Sequence, residues 1–137
     1  MVMAGVLALW LVGCARPGAE EQVRAQVAAL QHAVEHRDLG DAMDLVADDF
    51  AGNNGLDRDG LRALMRLQFL VNANVRATLG PLQVTLQGQD HATVKFSALL
   101  TGGSGRLLPD QAGTYQVTTG WRRDGGDWKL YTAQWQR

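Results

Sequence analysis

A pair of histidines, several grouped aspartates, one glycine-rich run and a single cysteine are the places where this chain has residue types suited to chemistry. His32 and His36 lie four apart, a spacing at which two imidazoles on one helix face can share a metal ion. No glutamate or third histidine joins them at zinc-site spacing, so the pair reads as solvated. Asp41, Asp44 and Asp48 form a polar stripe and read as a solvated helix face rather than a cation site. Asp57-Arg58-Asp59-Gly60 has the look of a calcium loop. If Gly60 took that loop's glycine position, however, its first ligand would be Gly55 and its twelfth Arg66, and neither can serve. Gly102-Gly103-Ser104-Gly105 lacks the Gly-Lys-Ser/Thr of a phosphate loop and the spacing of a dinucleotide loop. The expectation is a chain with no metal and no cofactor.

Cys14 has no partner for an intramolecular disulfide and cannot build a metal site alone. Its setting gives it another use. Residues 1–13, MVMAGVLALWLVG, carry no side-chain charge and are nearly all apolar or small. A membrane-spanning helix needs roughly 20 apolar residues, so this run has instead the length of a signal-peptide core. It ends in Leu11-Val12-Gly13-Cys14, which resembles the bacterial lipobox, where small residues fit a peptidase beside a cysteine that becomes lipid-modified and N-terminal. That resemblance implies a diacylglycerol on Cys14 and an acyl chain on the new amine. Several chains together hold a protein where one alone is marginal. Ala15 stands where an aspartate would signal inner-membrane retention, so the expected place is the outer membrane, facing the periplasm. The expected organisation is a signal peptide at 1–13, a lipid-anchored tether at 14–18 and a single domain at 19–137.

Elements must hold these residues in place, and the chain's 137 residues suffice for one domain and one core. A net charge of −1 with no basic block gives no reason to expect a nucleic-acid partner. A first helix is expected over Ala19 to Arg37, with Val23, Val27, Leu30 and Val34 as its apolar stripe. Asp41 is expected to cap a second helix running to about Phe50, and Asp57 or Asp59 a third from Gly60 to about Asn72. That third helix is apolar on almost every side, with only Arg62, Arg66 and Gln68 polar. It therefore needs cover on more than one side, from the sheet and from a cavity, the first helix or a second subunit.

From Asn74 the period changes to two, giving strands over Val75–Leu79, Leu82–Leu86 and Ala92–Ala98 with a turn at Gln87–His91. His91 reads as a surface residue of that turn. Leu107 and Leu108, apolar in a connection, are expected to fold over a cavity mouth or touch a partner. The final quarter is a hairpin around Asp124-Gly125-Gly126-Asp127. Tyr115, Val117, Thr119 and Trp121 alternate with Gln116, Thr118, Gly120 and Arg122 before the turn. Trp128, Leu130, Thr132 and Gln134 alternate after it with Lys129, Tyr131, Ala133 and Trp135. Strict alternation puts Trp128 and Leu130 in the core beside Trp121, and sends Tyr131 and Trp135 outward as a face on which two copies would pack into a homodimer; the alternative is that the last strand bulges or is covered by the N-terminal segment.

Helices followed by about four antiparallel strands make an α+β pattern, the helices packing on one face of the sheet. The order helix, short acidic helix, loop, third helix and strands ending in Gly126-Asp127-Trp128-Lys129-Leu130 resembles the nuclear transport factor 2-like superfamily, over roughly Glu20 to Trp135. The resemblance rests mainly on Leu45 to Phe50 and Trp121 to Leu130. It implies a curved sheet closing a cystatin-like cone with the helices, often with a pocket inside and often dimeric. Such a pocket would be lined by Gln68, Phe69, Thr119, Trp121, Gln134 and Asp49.

The catalytic residues of that superfamily do not carry over. Ketosteroid isomerases need a carboxylate base with a tyrosine and a protonated acid on one oxyanion. This chain has no Asp or Glu in the strands from Val75 to Ala98, and Asp49 alone makes no constellation. Scytalone dehydratase-like chemistry would need inward histidines near a carboxylate. Two functions are left: a non-catalytic envelope domain binding a small apolar ligand or a protein, and an isomerase, dehydratase or cyclase-like enzyme acting on a hydrophobic carbonyl compound. The first is preferred.

Overall fold

The computed structural model describes residues 18–103 and 111–137. Helix α1 (Ala19–Glu35) carries Glu20 and Glu21 in its first turn, where they complement the helix dipole. It closes in a Schellman turn. Arg37 takes a left-handed φ of 53°, and its N–H and that of Asp38 reach back to the carbonyls of Val34 and Ala33. The Asp38 carboxylate then accepts from the Asp41 N–H at 3.0 Å and starts α2 (Leu39–Asp44). The second helix thus begins three residues earlier than expected, capped by Asp38 and not by Asp41, and it stops well short of Phe50.

After α2 the chain enters strand β1 (Val46–Gly52), where the repeat of apolar residues predicts a continuing helix. Its buried residues, Val46, Ala47 and Phe50, fit a helical repeat as well as an irregular strand. Tertiary pairing decides between the two. β1 supplies the parallel neighbour for β6 (Asp127–Gln136), with Val46 opposite Leu130 and Gly52 opposite Ala133. A 3-10 turn (Asn53–Gly55) leads to α3 (Arg58–Val71), capped by Asp57, whose Oδ1 accepts from the Gly60 N–H at 2.7 Å. Strands β2 (Asn74–Leu79), β3 (Gln83–Gln87), β4 (His91–Gly103) and β5 (Gln111–Asp124) complete the set of elements.

The architecture is α+β, with the helices packed on a curved mixed sheet of six strands among the described residues, where about four antiparallel ones were expected. The order is β1-β6-β5-β4-β2, and β3 also pairs with β4. β4 is long enough to hold two neighbours along one edge: Gln83–Gln87 opposite its first half and Asn74–Leu79 opposite its second. The β5–β6 turn obeys the expected signal. Gly125 and Gly126 both take positive φ, 61° and 94°, between the paired Asp124 and Asp127.

α1 lies across the inner face. Val23 and Val27 join Met43, Val46, Phe50, Val94, Trp121, Trp128 and Leu130 in the core. Its polar side chains finish the backbone of β2, an edge strand: Gln31 Nε2 donates to the Ala77 carbonyl at 2.6 Å, and the Ala77 N–H donates to Glu35 at 3.1 Å. Those two bonds cover the free edge of β2 at Ala77, in the middle of the strand. α3 is held differently. Its N-terminus is tied down by Arg58, which donates to the Met43 carbonyl at 2.9 Å, and of its residues only Leu61 is buried. Leu67 and Leu70 are 55% and 77% exposed. The third helix therefore has the all-round apolar surface expected of it and lacks part of the cover that surface was expected to have.

Candidate ligand cavity

Between α1, α3 and the inner face of the sheet lies a cavity of about 800 Å³. Its existence follows from side-chain size. Positions that face inward in the wide half of the sheet carry Ala77, Ala98, Gly102 and Gly113, while the opposite half is closed by Trp121, Leu130 and Phe50. Small residues leave the space and the large ones floor it. Val27, Leu30 and Val34 of α1 form one wall, and Leu61, Leu64, Met65 and Phe69 of α3 form the other.

The polar groups inside are few and mostly satisfied. Thr119 is 5% exposed; its hydroxyl donates to the Val94 carbonyl at 3.0 Å and accepts from Trp121 Nε1 at 2.9 Å. That relay fixes the indole as part of the floor and meets the hydrogen-bonding need of a buried tryptophan. Asn72 closes the C-terminal turn of α3, its amide donating to the Gln68 carbonyl at 2.9 Å and to the Gln68 side chain at 3.1 Å. A Cβ on Gly102 would stand 2.8 Å from the Asn72 Oδ1, so glycine is what lets the end of α3 meet β4 this closely. At the opposite end of the sheet from Trp121, Arg137 donates to the Tyr115 hydroxyl oxygen from Nη2 at 3.1 Å and from Nε at 3.3 Å. Tyr115 and Arg137 are the ionisable side chains among the described lining residues, which include no Asp, Glu or His.

The structure places Gln68, Phe69, Thr119 and Trp121 on the lining and two other sequence-derived candidates away from it. Asp49 belongs to a strand and not to a helix, and its side chain lies on the outer face. There Arg122 donates to both of its oxygens, at 2.8 and 3.0 Å, and those hydrogen bonds hold the carboxyl below the usual carboxylate range. Gln134 is exposed because β6 is not regular. Opposite β5, Gly120 pairs with Thr132 and Trp121 with Leu130, so Tyr131 is one residue too many. A β-bulge of this kind reverses the inside–outside phase beyond it. Trp128 and Leu130 face in, at 2% and 3% exposed; past the bulge Ala133 and Trp135 face in as well, and Trp135 sits opposite Val117 on the lining. The paired aromatic outer face expected of Tyr131 and Trp135 is therefore not formed. Tyr131 stays outside with His91 edge-on at 5.8 Å and Arg122 over its ring at 5.4 Å.

Several lining residues are absent from the sequence-derived set. Tyr115 shares the alternation of Val117, Thr119 and Trp121, so the period-two pattern already carries its signal. Trp135 is reached only through the alternative that the last strand bulges, since nothing local marks Tyr131 as the extra residue. Arg137 lies two residues past Trp135 and comes in with the same phase reversal. The histidine pair is exposed, the rings stacked with centroids 3.9 Å apart, and His36 Nδ1 lies 2.8 Å from the His32 carbonyl. Among the described residues, no three His, Cys, Asp or Glu side chains gather in metal-binding fashion. Asp41 has its pKa raised, chiefly by the charge of Asp38. Cys14, Leu107 and Leu108 lie outside the described residues.

No protein-family model matches the sequence, and no curated protein sequence matches it. Solved structures do match. A protein from Novosphingobium aromaticivorans provisionally named a scytalone dehydratase superposes with a TM-score of 0.77 at 12% identity, over 85% of this chain and 82% of that one. A nuclear transport factor 2-like protein of unknown function from Pseudomonas putida gives 0.72 at 23% identity, over 85% and 84%. A protein from Streptomyces avermitilis, provisionally named a dehydratase of the nuclear transport factor 2-like family, gives 0.71 at 21% identity, over 84% and 92%. The fold is the nuclear transport factor 2-like, cystatin-like cone.

Proposed function

We propose that this chain is a lipid-anchored bacterial envelope domain that binds a small apolar ligand in its cavity without transforming it. The observation that carries the reading is the lining. At about 800 Å³ the cavity has the size of a site for a drug-sized molecule, roughly 300–1,000 Å³ by general experience. Its walls are aliphatic and aromatic, and its buried hydroxyl, on Thr119, and buried amide, on Asn72, are spent on the protein's own backbone and side chains. Binding there would be driven by removal of apolar surface from water.

Two of the similar structures bear dehydratase names, and an isomerase or dehydratase acting on a hydrophobic carbonyl compound is the competing function. Such chemistry requires a group that takes a proton from carbon, within hydrogen-bond reach of the substrate and with a pKa near neutrality. Histidine and raised carboxylates are the usual suppliers, and neither occurs among the described lining residues. The binding reading needs no such group.

The test is native mass spectrometry of the full chain purified from its own envelope and released from detergent in the gas phase. A ligand-sized mass excess that disappears on denaturation is expected. A chain that is always empty, and that also takes up no small apolar amide when titrated, overturns the reading.

A further inference from the structure

We infer that the cavity is built for an amphiphile with a singly charged carboxylate head, the head held by Tyr115 and Arg137 and the apolar body lying toward Trp121. The inference rests on the binding function proposed above and adds the class of ligand. Polarity in the cavity is graded along β5. Trp121 and Thr119, at the deep end, are 1% and 5% exposed, whereas Tyr115 is half-buried and Arg137 is exposed. One end is dry and apolar and the other is wet, so a bound molecule with two unlike ends has only one favourable orientation.

The wet end is also cationic and incompletely paired. Each of several other arginines has found charge or carbonyl partners: Arg24 pairs with Glu20, Arg122 with Asp49 and Asp124, and Arg58 lies near Asp48 and bonds the Met43 carbonyl. Among the described residues Arg137 meets only Tyr115, through its hydroxyl oxygen and, at 5.4 Å, the face of its ring. No carboxylate pairs with it among the described residues. Because two guanidinium N–H groups point at the phenol oxygen, the Tyr115 hydroxyl proton is turned away from Arg137, and among the described residues it has no acceptor. The Nη1 donors of Arg137 are likewise uncommitted among the described residues. One O–H and an unspent guanidinium edge side by side suit an anionic, planar, two-oxygen acceptor, and charge-assisted bonds of this type are the stronger ones.

Gly113 keeps the pair in place. A Cβ there would stand 2.9 Å from Cε2 of the Tyr115 ring and 3.2 Å from its oxygen, so the ring lies where only glycine leaves room.

The experiment compares octanoate with octanamide, which has the same chain length and a neutral head, by titration calorimetry on the full chain in phosphatidylcholine nanodiscs, with empty nanodiscs as the blank. Octanoate is expected to bind about tenfold more tightly than octanamide, the lower end of what a charge-assisted contact is worth at a partly exposed site. Arg137→Gln should erase that preference, bringing the ratio of the two affinities to about one. Tyr115→Phe should reduce it several-fold, and Gly113→Ala, which displaces the ring without deleting the hydroxyl, should reduce it too. Arg137 is exposed, so its variant should keep the parent's melting temperature and be readable. Equal binding of the two ligands, or a preference that survives Arg137→Gln, overturns the carboxylate site and leaves the cavity reading standing. Failure of both ligands to bind overturns the carboxylate site, and with a chain that native mass spectrometry also finds empty it overturns the binding reading as well.

Discussion

Arg122 grips the Asp49 carboxylate with both terminal nitrogens, Nη2 at 2.8 Å and Nη1 at 3.0 Å, across the outer face of the sheet. The same guanidinium binds Asp124 through Nε at 3.0 Å, so one side chain ties the added strand β1 to the start of the β5–β6 turn. The hydrogen bonds from Arg122 lower the Asp49 pKa and raise that of Arg122. A carboxylate whose pKa is lower folded than unfolded stabilises the fold above the unfolded value, about 3.9, and loses that contribution as pH falls through the folded value. Melting temperature should therefore fall less steeply below about pH 4 in Asp49→Asn than in the parent. The effect will be small, since exposed ion pairs are worth little. Parallel acid limbs in the two proteins would show that the grip contributes nothing.

Trp128 should be among the most costly residues to truncate. It is 2% exposed, its indole N–H donates to Gln22 Oε1 at 3.0 Å, and Arg123 lies over its ring at 4.9 Å. Its backbone carbonyl also accepts from Gln26 of α1 at 2.9 Å, so the residue joins helix and sheet by packing and by hydrogen bonding. Trp128→Ala is expected to cost about 3–5 kcal/mol, the range for large aromatic truncations in cores. Denaturant unfolding measures it, and a loss below about 1 kcal/mol would place this face in solvent.

Lipid attachment at Cys14, part of the function proposed above, has a direct test. The apolar run ending in Leu11-Val12-Gly13-Cys14 motivates lipid attachment at that sulfur. Cys14→Ser should move the protein out of the membrane fraction or leave it as a larger unprocessed chain. If the variant fractionates and migrates as the parent does, the anchor is misassigned.

Much of the cone is legible in the sequence because local chemistry and global fold agree along most of the chain. Asp57 caps α3 as its position ahead of the apolar run requires, and the Asp124–Asp127 turn sets the last hairpin in register. Trp121 and Leu130 do meet across that hairpin. Apart from the cap of α2, which is Asp38 and not Asp41, the errors fall where a long-range partner overrules the local pattern. Val46 to Phe50 reads as helix by period, yet the unpaired edge of β6 draws it into a parallel strand. Asp49 is lost from the cavity for that reason alone. Gln134 and Trp135 exchange faces because of one unpaired residue, Tyr131, and an alternating pattern contains no mark for such a slip. The size of the cavity is not legible either, since it depends on Ala77, Ala98 and Gly113 facing the same space from three strands.

The bulge at Tyr131 has a partner requirement on the neighbouring strand that can be tested directly. Gly120 stands opposite Thr132 on the outer face, and a Cβ there would lie 2.5 Å from the Thr132 Cγ2 and 3.0 Å from Cζ of the Tyr131 ring. Both atoms belong to the segment displaced by the extra residue, so glycine is the complement of the bulge rather than a weak spot in the strand. Gly120→Ala should cost about 1–3 kcal/mol, as overpacking does. Thr132→Ser removes the nearer methyl while keeping the hydroxyl that donates to the Ala51 carbonyl at 2.8 Å. In that background the cost of Gly120→Ala should shrink, a coupling of about 0.5 kcal/mol or more for residues in direct contact. Strictly additive costs in the double-mutant cycle would mean that the glycine is there for some other reason, and that the bulge does not depend on it.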